Sequence, residues 1–160
     1  MRIYIIGPVG SGKTTLSKKL ANKYHTKSYE LDKVVWDDSN GNHKRNFIER
    51  DQLFQKIIQH KSWIIEDVGR KCFVEGVKKA DVVYYIALPI TTLLYRVVRR
   101  WIHQRRGYEA YSYPPTFQSL IQMMGWAIKN WFQRHEKLLW IRDNTDKLII
   151  LRKKDFSHYE

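Results

Sequence analysis

Apolar residues recur along this chain in two rhythms. Short unbroken runs, RIYII at 2–6, WIIE at 63–66, DVVYYIAL at 81–88 and KLIIL at 147–151, read as buried strands, and a shorter strand is expected near 27–31. Between them the apolar positions fall three and four apart, the spacing of one helix face. Leu16 and Leu20 mark a helix over 13–24, and Phe47, Phe54, Ile57 and Ile58 mark another over 46–60. Leu93, Leu94, Val97, Val98, Trp101 and Ile102 mark a third over 90–106, and one long helix is expected over about 116–142. A short helix fits 70–79. DKVVWDDSNGNHK reads as a loop turning at Asn40-Gly41, and 107–115 as a loop rich in Tyr and Pro.

Strands that are apolar throughout, alternating with helices, predict a three-layer α/β/α domain around a parallel sheet. With no linker or repeat in sight, 1–160 reads as one domain. Ligands of such sheets bind at the carboxyl ends of the strands. The stretch GPVGSGKT, residues 7–14, stands at that end of the first strand.

Gly7, Gly10, Ser11, Gly12, Lys13 and Thr14 lie within a full G-x-x-x-x-G-K-[ST] phosphate-binding loop, or P-loop. Glycines let backbone amides close round an anion, and the following helix aims its positive end at the same point. Lys13 supplies a mobile cation for the outer phosphates and the Thr14 hydroxyl a ligand for Mg²⁺, while Thr15 is within range of the innermost phosphate. The cofactors expected are ATP, or GTP, with Mg²⁺; no motif separates the two bases.

Acids at neighbouring strand ends are candidates to orient the metal's waters or accept a proton. Asp32 follows the second strand, and Glu66 and Asp67 follow the third, whereas Asp37 and Asp38 read as solvated loop charges. In LLYRVVRRWIHQRRG, Arg96, Arg99, Arg100, His103 and Arg106 share a helix face. That face suits phosphate. It fits a helix leading into a lid-like segment around 99–116, a nucleic-acid contact or a solvated basic surface. Trp126, Trp131 and Trp140 are expected to pack in the core.

Charge sharpens one point. The 29 Lys and Arg against 16 Asp and Glu leave a net +13, attractive to any anion. No apolar run reaches the ~20 residues of a membrane span, and MRIYIIGPVG lacks the length of a signal peptide. A cytoplasmic protein is expected, and the lone Cys72 excludes an internal disulfide.

IYIIGPVGSGKTTLSKKL, LDKVVW, WIIEDVG, ADVVYYIALP, LLYRVVRRWIHQRRG and DKLIILR together resemble the topology modulation proteins, an adenylate-kinase-like P-loop family. The resemblance implies a five-stranded sheet in the nucleoside-kinase order 2-3-1-4-5. It also implies nucleotide-phosphate and Mg²⁺ residues at Gly7, Gly12, Lys13, Thr14 and Thr15. Asp32 matches an acid near the phosphate acceptor, Glu66 an acid where the family usually has Asp, and Arg96 and Arg100 basic residues leading into the lid. The chain departs from the family at Ala87, where an acid is common. It departs again in GYEAYSYPPTF, which lacks the lid arginines, and at EDVG, where a DGN-like turn is usual. The function implied is transfer of the γ-phosphate of ATP to a small-molecule or nucleotide acceptor. Its alternative is nucleotide-dependent DNA or RNA binding with little or no transfer.

Overall fold

The structure, a computed structural model, describes residues 1–37, 39, 43–109 and 114–158. In chain order the elements are β1 (Arg2–Ile6), α1 (Lys13–Tyr24), β2 (Ser28–Glu30), α2 (Leu31–Val35), β3 (Trp36–Asp37), β4 (His43–Lys44) and α3 (Phe47–Ile58). Then come β5 (Trp63–Asp67), a 3-10 turn at Lys71–Phe73, α4 (Val74–Lys79), β6 (Val82–Ile86) and α5 (Ile90–Arg105). The chain closes with α6 (Phe117–Phe132), α7 (Arg134–Asn144), β7 (Leu148–Leu151) and a 3-10 segment at Lys153–His158.

Five strands form one parallel sheet in the order β2-β5-β1-β6-β7. Counted without the small antiparallel β3–β4 ribbon, this is the order 2-3-1-4-5. The period of two along β1 divides the core. Ile3 and Ile5 join Leu16, Leu20, Ile64, Ile86 and Leu93 under α1 and α5. Tyr4 and Ile6 join Phe54, Trp63, Ile65, Phe73, Val77 and Ile141 on the other face. Both faces of β1 and β5 are therefore covered, as their apolar sequences require.

Five local expectations are corrected. The stretch beginning DKVVW is not all loop: Leu31, Val34 and Val35, at helical spacing, are buried in α2, and β3 and β4 follow. The Asn40-Gly41 turn and Asp38 lie outside the described residues. Asp37 is not a free loop charge. Arg45 lies 3.2 Å from its carboxylate and donates to the carbonyls of Lys33 and Trp36 at 2.6 and 2.8 Å, which folds the segment back on itself. Phe47, in the first turn of α3, is exposed rather than buried with Phe54 and Ile57.

The long helix over 116–142 is two helices, α6 and α7, meeting at Gln133. They serve different partners. Leu120 and Ala127 of α6 pack with Val97 of α5 and with Val9 of the phosphate loop, whereas Leu138, Trp140 and Ile141 of α7 cover the opposite core. A straight rod cannot bury both sets. Trp131 and Trp140 pack against the cores as expected, but Trp126 is largely exposed. No helix among the described residues is long and apolar enough to cross a membrane.

Candidate active site

All five parallel strands end on one edge of the sheet, and the chemistry collects there. The turn after β1 needs its glycines. Gly10 and Gly12 sit at φ +78° and +92°, and a Cβ on Gly10 would lie 2.9 Å from the Leu93 carbonyl oxygen. A Cβ on Gly7 would lie 2.7 Å from Ser11 Oγ. Gly12 also caps α1 without a side-chain bond, and no acid stands in the first turn. The positive end of a 12-residue helix is thus left for an anion from outside the chain.

Polar groups around this cradle are incompletely satisfied. Ser11 Oγ is buried with no hydrogen-bond partner. Lys13 donates from Nζ to the Pro8 carbonyl at 3.0 Å. Burial lowers the pKa of Lys13, although Glu66, Asp32 and Asp67 oppose that shift. Thr14 Oγ1 donates to Glu66 Oε1 at 2.7 Å, joining α1 to the end of β5. Glu66 is 5% exposed, and its Oε2 is buried without a partner. Burial raises its pKa, outweighing the Thr14 hydrogen bond and the Lys13 charge. A hydroxyl and a buried carboxylate with one free oxygen are oxygen donors, the set Mg²⁺ prefers, and the hydroxyl lies one residue past the phosphate-loop lysine. The residues present fit the ion.

The neighbouring edge is built differently. Asp67 is buried and accepts from the amides of Gly69 and Arg70 at 2.8 and 2.6 Å. The Arg70 guanidinium then bridges Asp67 and Asp32. Burial works against the Arg70 charge, but the two carboxylates prevail and raise its pKa. Asp32, 64% exposed, thus reaches the site from the first turn of α2 already paired. The Gly7 amide donates to the Asp67 carbonyl at 3.3 Å, so this turn and the phosphate loop are joined.

Of the arginines, Arg96 donates from its guanidinium to the Ser11 carbonyl at 3.1 Å and stands 3.3 Å from where a Cβ on Gly12 would be. Arg100, one turn further along α5, is directed instead to Glu109 at 3.5 Å. Thr15, Arg99, Arg105 and Arg106 are exposed, and residues 110–113 of the expected lid lie outside the described residues. The structure therefore gathers Lys13, Thr14, Glu66, Asp32 and Arg96 at one edge and leaves Arg100 on the outer part of α5.

Two residues at this edge escaped the sequence reading. Arg70 stands three residues after a strand end already marked by Glu66 and Asp67, a placement that signals it. Lys137 has no local signal. Its Nζ comes from α7 to donate to the Val68 carbonyl at 2.6 Å and to Asn130 Oδ1. Burial pushes its pKa down to about 8; Asp67 opposes this, and the like charges of Lys13 and Arg70 add to it.

The family model described as an AAA domain matches residues 3–111, and the chain belongs to this P-loop kinase-like family. Among solved structures the fold is similar to a shikimate kinase from Acinetobacter baumannii in complex with shikimate. That match has a TM-score of 0.60 and 16% identity, over 99% of this chain and 87% of that one. A shikimate kinase from Bacteroides thetaiotaomicron gives 0.56 at 18% identity, over 95% and 85% of the two chains. A gluconokinase from Sinorhizobium meliloti 1021 gives 0.54 at 14%, over 94% and 81%. At these identities the likeness is one of fold.

Proposed function

We propose that this protein is an ATP-dependent phosphotransferase acting on a small hydroxyl- or phosphate-bearing acceptor, with GTP the other nucleotide the cradle fits. One observation carries the reading: Thr14 and Glu66 meet at 2.7 Å beside the phosphate loop, and the carboxylate keeps a buried, unpartnered oxygen. A fold that only held a glycine turn would have no use for that costly arrangement. Kinship with the topology modulation proteins is part of this proposal, as is a cytoplasmic location, where such a nucleotide is plentiful.

Roles follow from position. Gly7, Gly10, Ser11 and Gly12 present backbone amides to the phosphates, and Thr15 stands beside them in the first turn of α1. Lys13 leaves the Pro8 carbonyl for the outer phosphates. Mg²⁺, held by Thr14 and by Glu66 directly or through water, would neutralise charge as it develops. In the transfer an acceptor oxygen bonds to the γ-phosphorus, the bond to the bridging oxygen breaks, and the diphosphate leaves. Asp32 orients the acceptor and takes its proton, which its exposure lets it pass to water. Arg96 steadies the loop through the Ser11 carbonyl. Arg100 reaches the phosphates only if it leaves Glu109.

The test is transfer from labelled ATP across a panel of polyols, hydroxy acids and nucleotides. Lys13→Ala should cut turnover by about 10²–10³-fold, the cost of removing one transition-state cation or donor. Undiminished turnover in that variant would refute the reading. A nucleotide-dependent DNA or RNA binder is the second reading, favoured by the net charge of +13 and the exposed Arg99, Arg100, Arg105 and Arg106. Duplex binding with a steep salt slope and no transfer across the panel would select it.

A further inference from the structure

Three cations converge on the turn between the phosphate loop and the end of β5, and two of them rest on neutral acceptors. Lys13 Nζ lies on the Pro8 carbonyl and Lys137 Nζ on the Val68 carbonyl and the Asn130 side-chain oxygen. The third, Arg70, absorbs Asp67 and Asp32. Lys137 arrives from a helix 69 residues away in sequence, threading its methylenes past Gly69, where a Cβ would lie 3.5 Å from its Cδ. Gly69 sits at φ +87°, and its would-be Cβ also meets Ile6 at 3.0 Å. The glycine is required by the positive φ and by Ile6, and the lysine stem packs over it at van der Waals distance.

Placing a lysine this way is costly when its charge could stay in water. The groups facing the Lys137 ammonium are Asp67 and Arg70 from the β5 turn, Lys13 from α1, Asn130 from α6, and Glu136 on its own helix. Since Arg70 claims Asp67 and Lys71 pairs with Glu136 at 3.0 Å, neither carboxylate is left to Lys137 alone. A phosphate carried by the nucleotide would supply a partner anion at that edge.

We propose that Lys137 is an anion-binding residue of the phosphoryl-transfer site, releasing Val68 to meet the terminal phosphate that passes from nucleotide to acceptor. The proposal rests on the phosphotransferase reading above. It gives the site, from behind the β5 turn, a cation of the kind that the segment GYEAYSYPPTF lacks.

Proton linkage tests it without knowledge of the acceptor. An ammonium with a pKa of about 8 is half charged at pH 8 and becomes fully charged when an anion docks on it. Calorimetry with the Mg²⁺ complex of the β,γ-imido analogue of ATP, in buffers of different ionisation enthalpy, counts the protons taken up. Wild type should take up about half a proton more than Lys137→Met or Lys137→Arg at pH 8. Lys137→Met should also bind at least tenfold more weakly. Lys137→Arg, permanently charged, should recover most of the affinity without the uptake, which a packing role would not produce. Thermal unfolding of each variant identifies loss of fold, and if Lys137→Met is unfolded, Lys137→Arg alone decides through its uptake. Equal affinity and equal uptake in wild type and folded variants would overturn the proposal. Absence of analogue binding to wild type itself would instead bring down the phosphotransferase reading, and this inference with it.

Discussion

Two halves of one sheet edge solve opposite problems. At the phosphate loop, Ser11 Oγ and Glu66 Oε2 are buried without partners, Lys13 rests on a carbonyl, and the α1 N-terminus has no side-chain cap. At the turn after β5, Asp67, Arg70 and Asp32 form a closed chain of charges, with the backbone amides of Gly69 and Arg70 completing it. The first half is organised for something absent from the chain. The second is paired from within, and on the phosphotransferase reading an acceptor would part Arg70 from Asp32 or bind around the pair. Unsatisfied groups are costly to keep. Of the three such buried side-chain atoms among the described residues, two stand at the cradle, where binding energy can be recovered, and the third, Trp63 Nε1, stands at the start of β5.

The sharpest way to break the comparison sets the exposed end of that chain against its middle. Asp32→Asn should lower transfer by about 10²-fold or more, the usual contribution of a general base. Its stability loss should stay below about 1 kcal/mol, because Asp32 is mostly in water. Arg70→Ala should do the reverse in kind. It leaves the buried Asp67 carboxylate without its cation and should cost about 3 kcal/mol in urea unfolding. Equal stability losses in the two variants would show that the chain is not anchored at Asp67.

A smaller effect sharpens the cradle side. Glu66→Gln should weaken Mg²⁺-dependent transfer by about 10–100-fold, while the free protein loses no stability at neutral pH. Burial raises the Glu66 pKa in the fold. Its contribution to stability is therefore complete below the unfolded carboxylate value and is lost as pH rises through the folded one. Melting curves should show the glutamine variant level with or above wild type at pH 7, with the gap closing as pH falls into the ordinary carboxylate range. A variant that melts well below wild type at pH 7 would mean that the charged form is favoured after all.

Local signals made much of this legible. The β1 run, the glycine spacing and the lysine that opens α1 lie within a dozen residues, and each demands its conformation on its own. Glu66 and Asp32 were found because strand ends are readable. What was missed depends on distance in sequence. Arg70 matters because the fold brings α2 against the β5 turn, 38 residues apart. Lys137 matters because α6 and α7 part at Gln133, a break that continuous helical periodicity conceals. Arg96 and Arg100 share a helix face, yet only the first reaches the phosphate loop, since face alone does not give reach.

On the proposed reading, the backbone amides after β1 and the Lys13 ammonium grip a nucleoside triphosphate. The most direct measurement is calorimetric titration of the wild-type protein with Mg²⁺ and ATP, repeated with GTP. Saturable one-to-one binding at micromolar to submillimolar concentration is expected for one nucleotide at least, lost when Lys13 is replaced by Ala. A flat titration up to millimolar concentrations of both nucleotides would contradict the account.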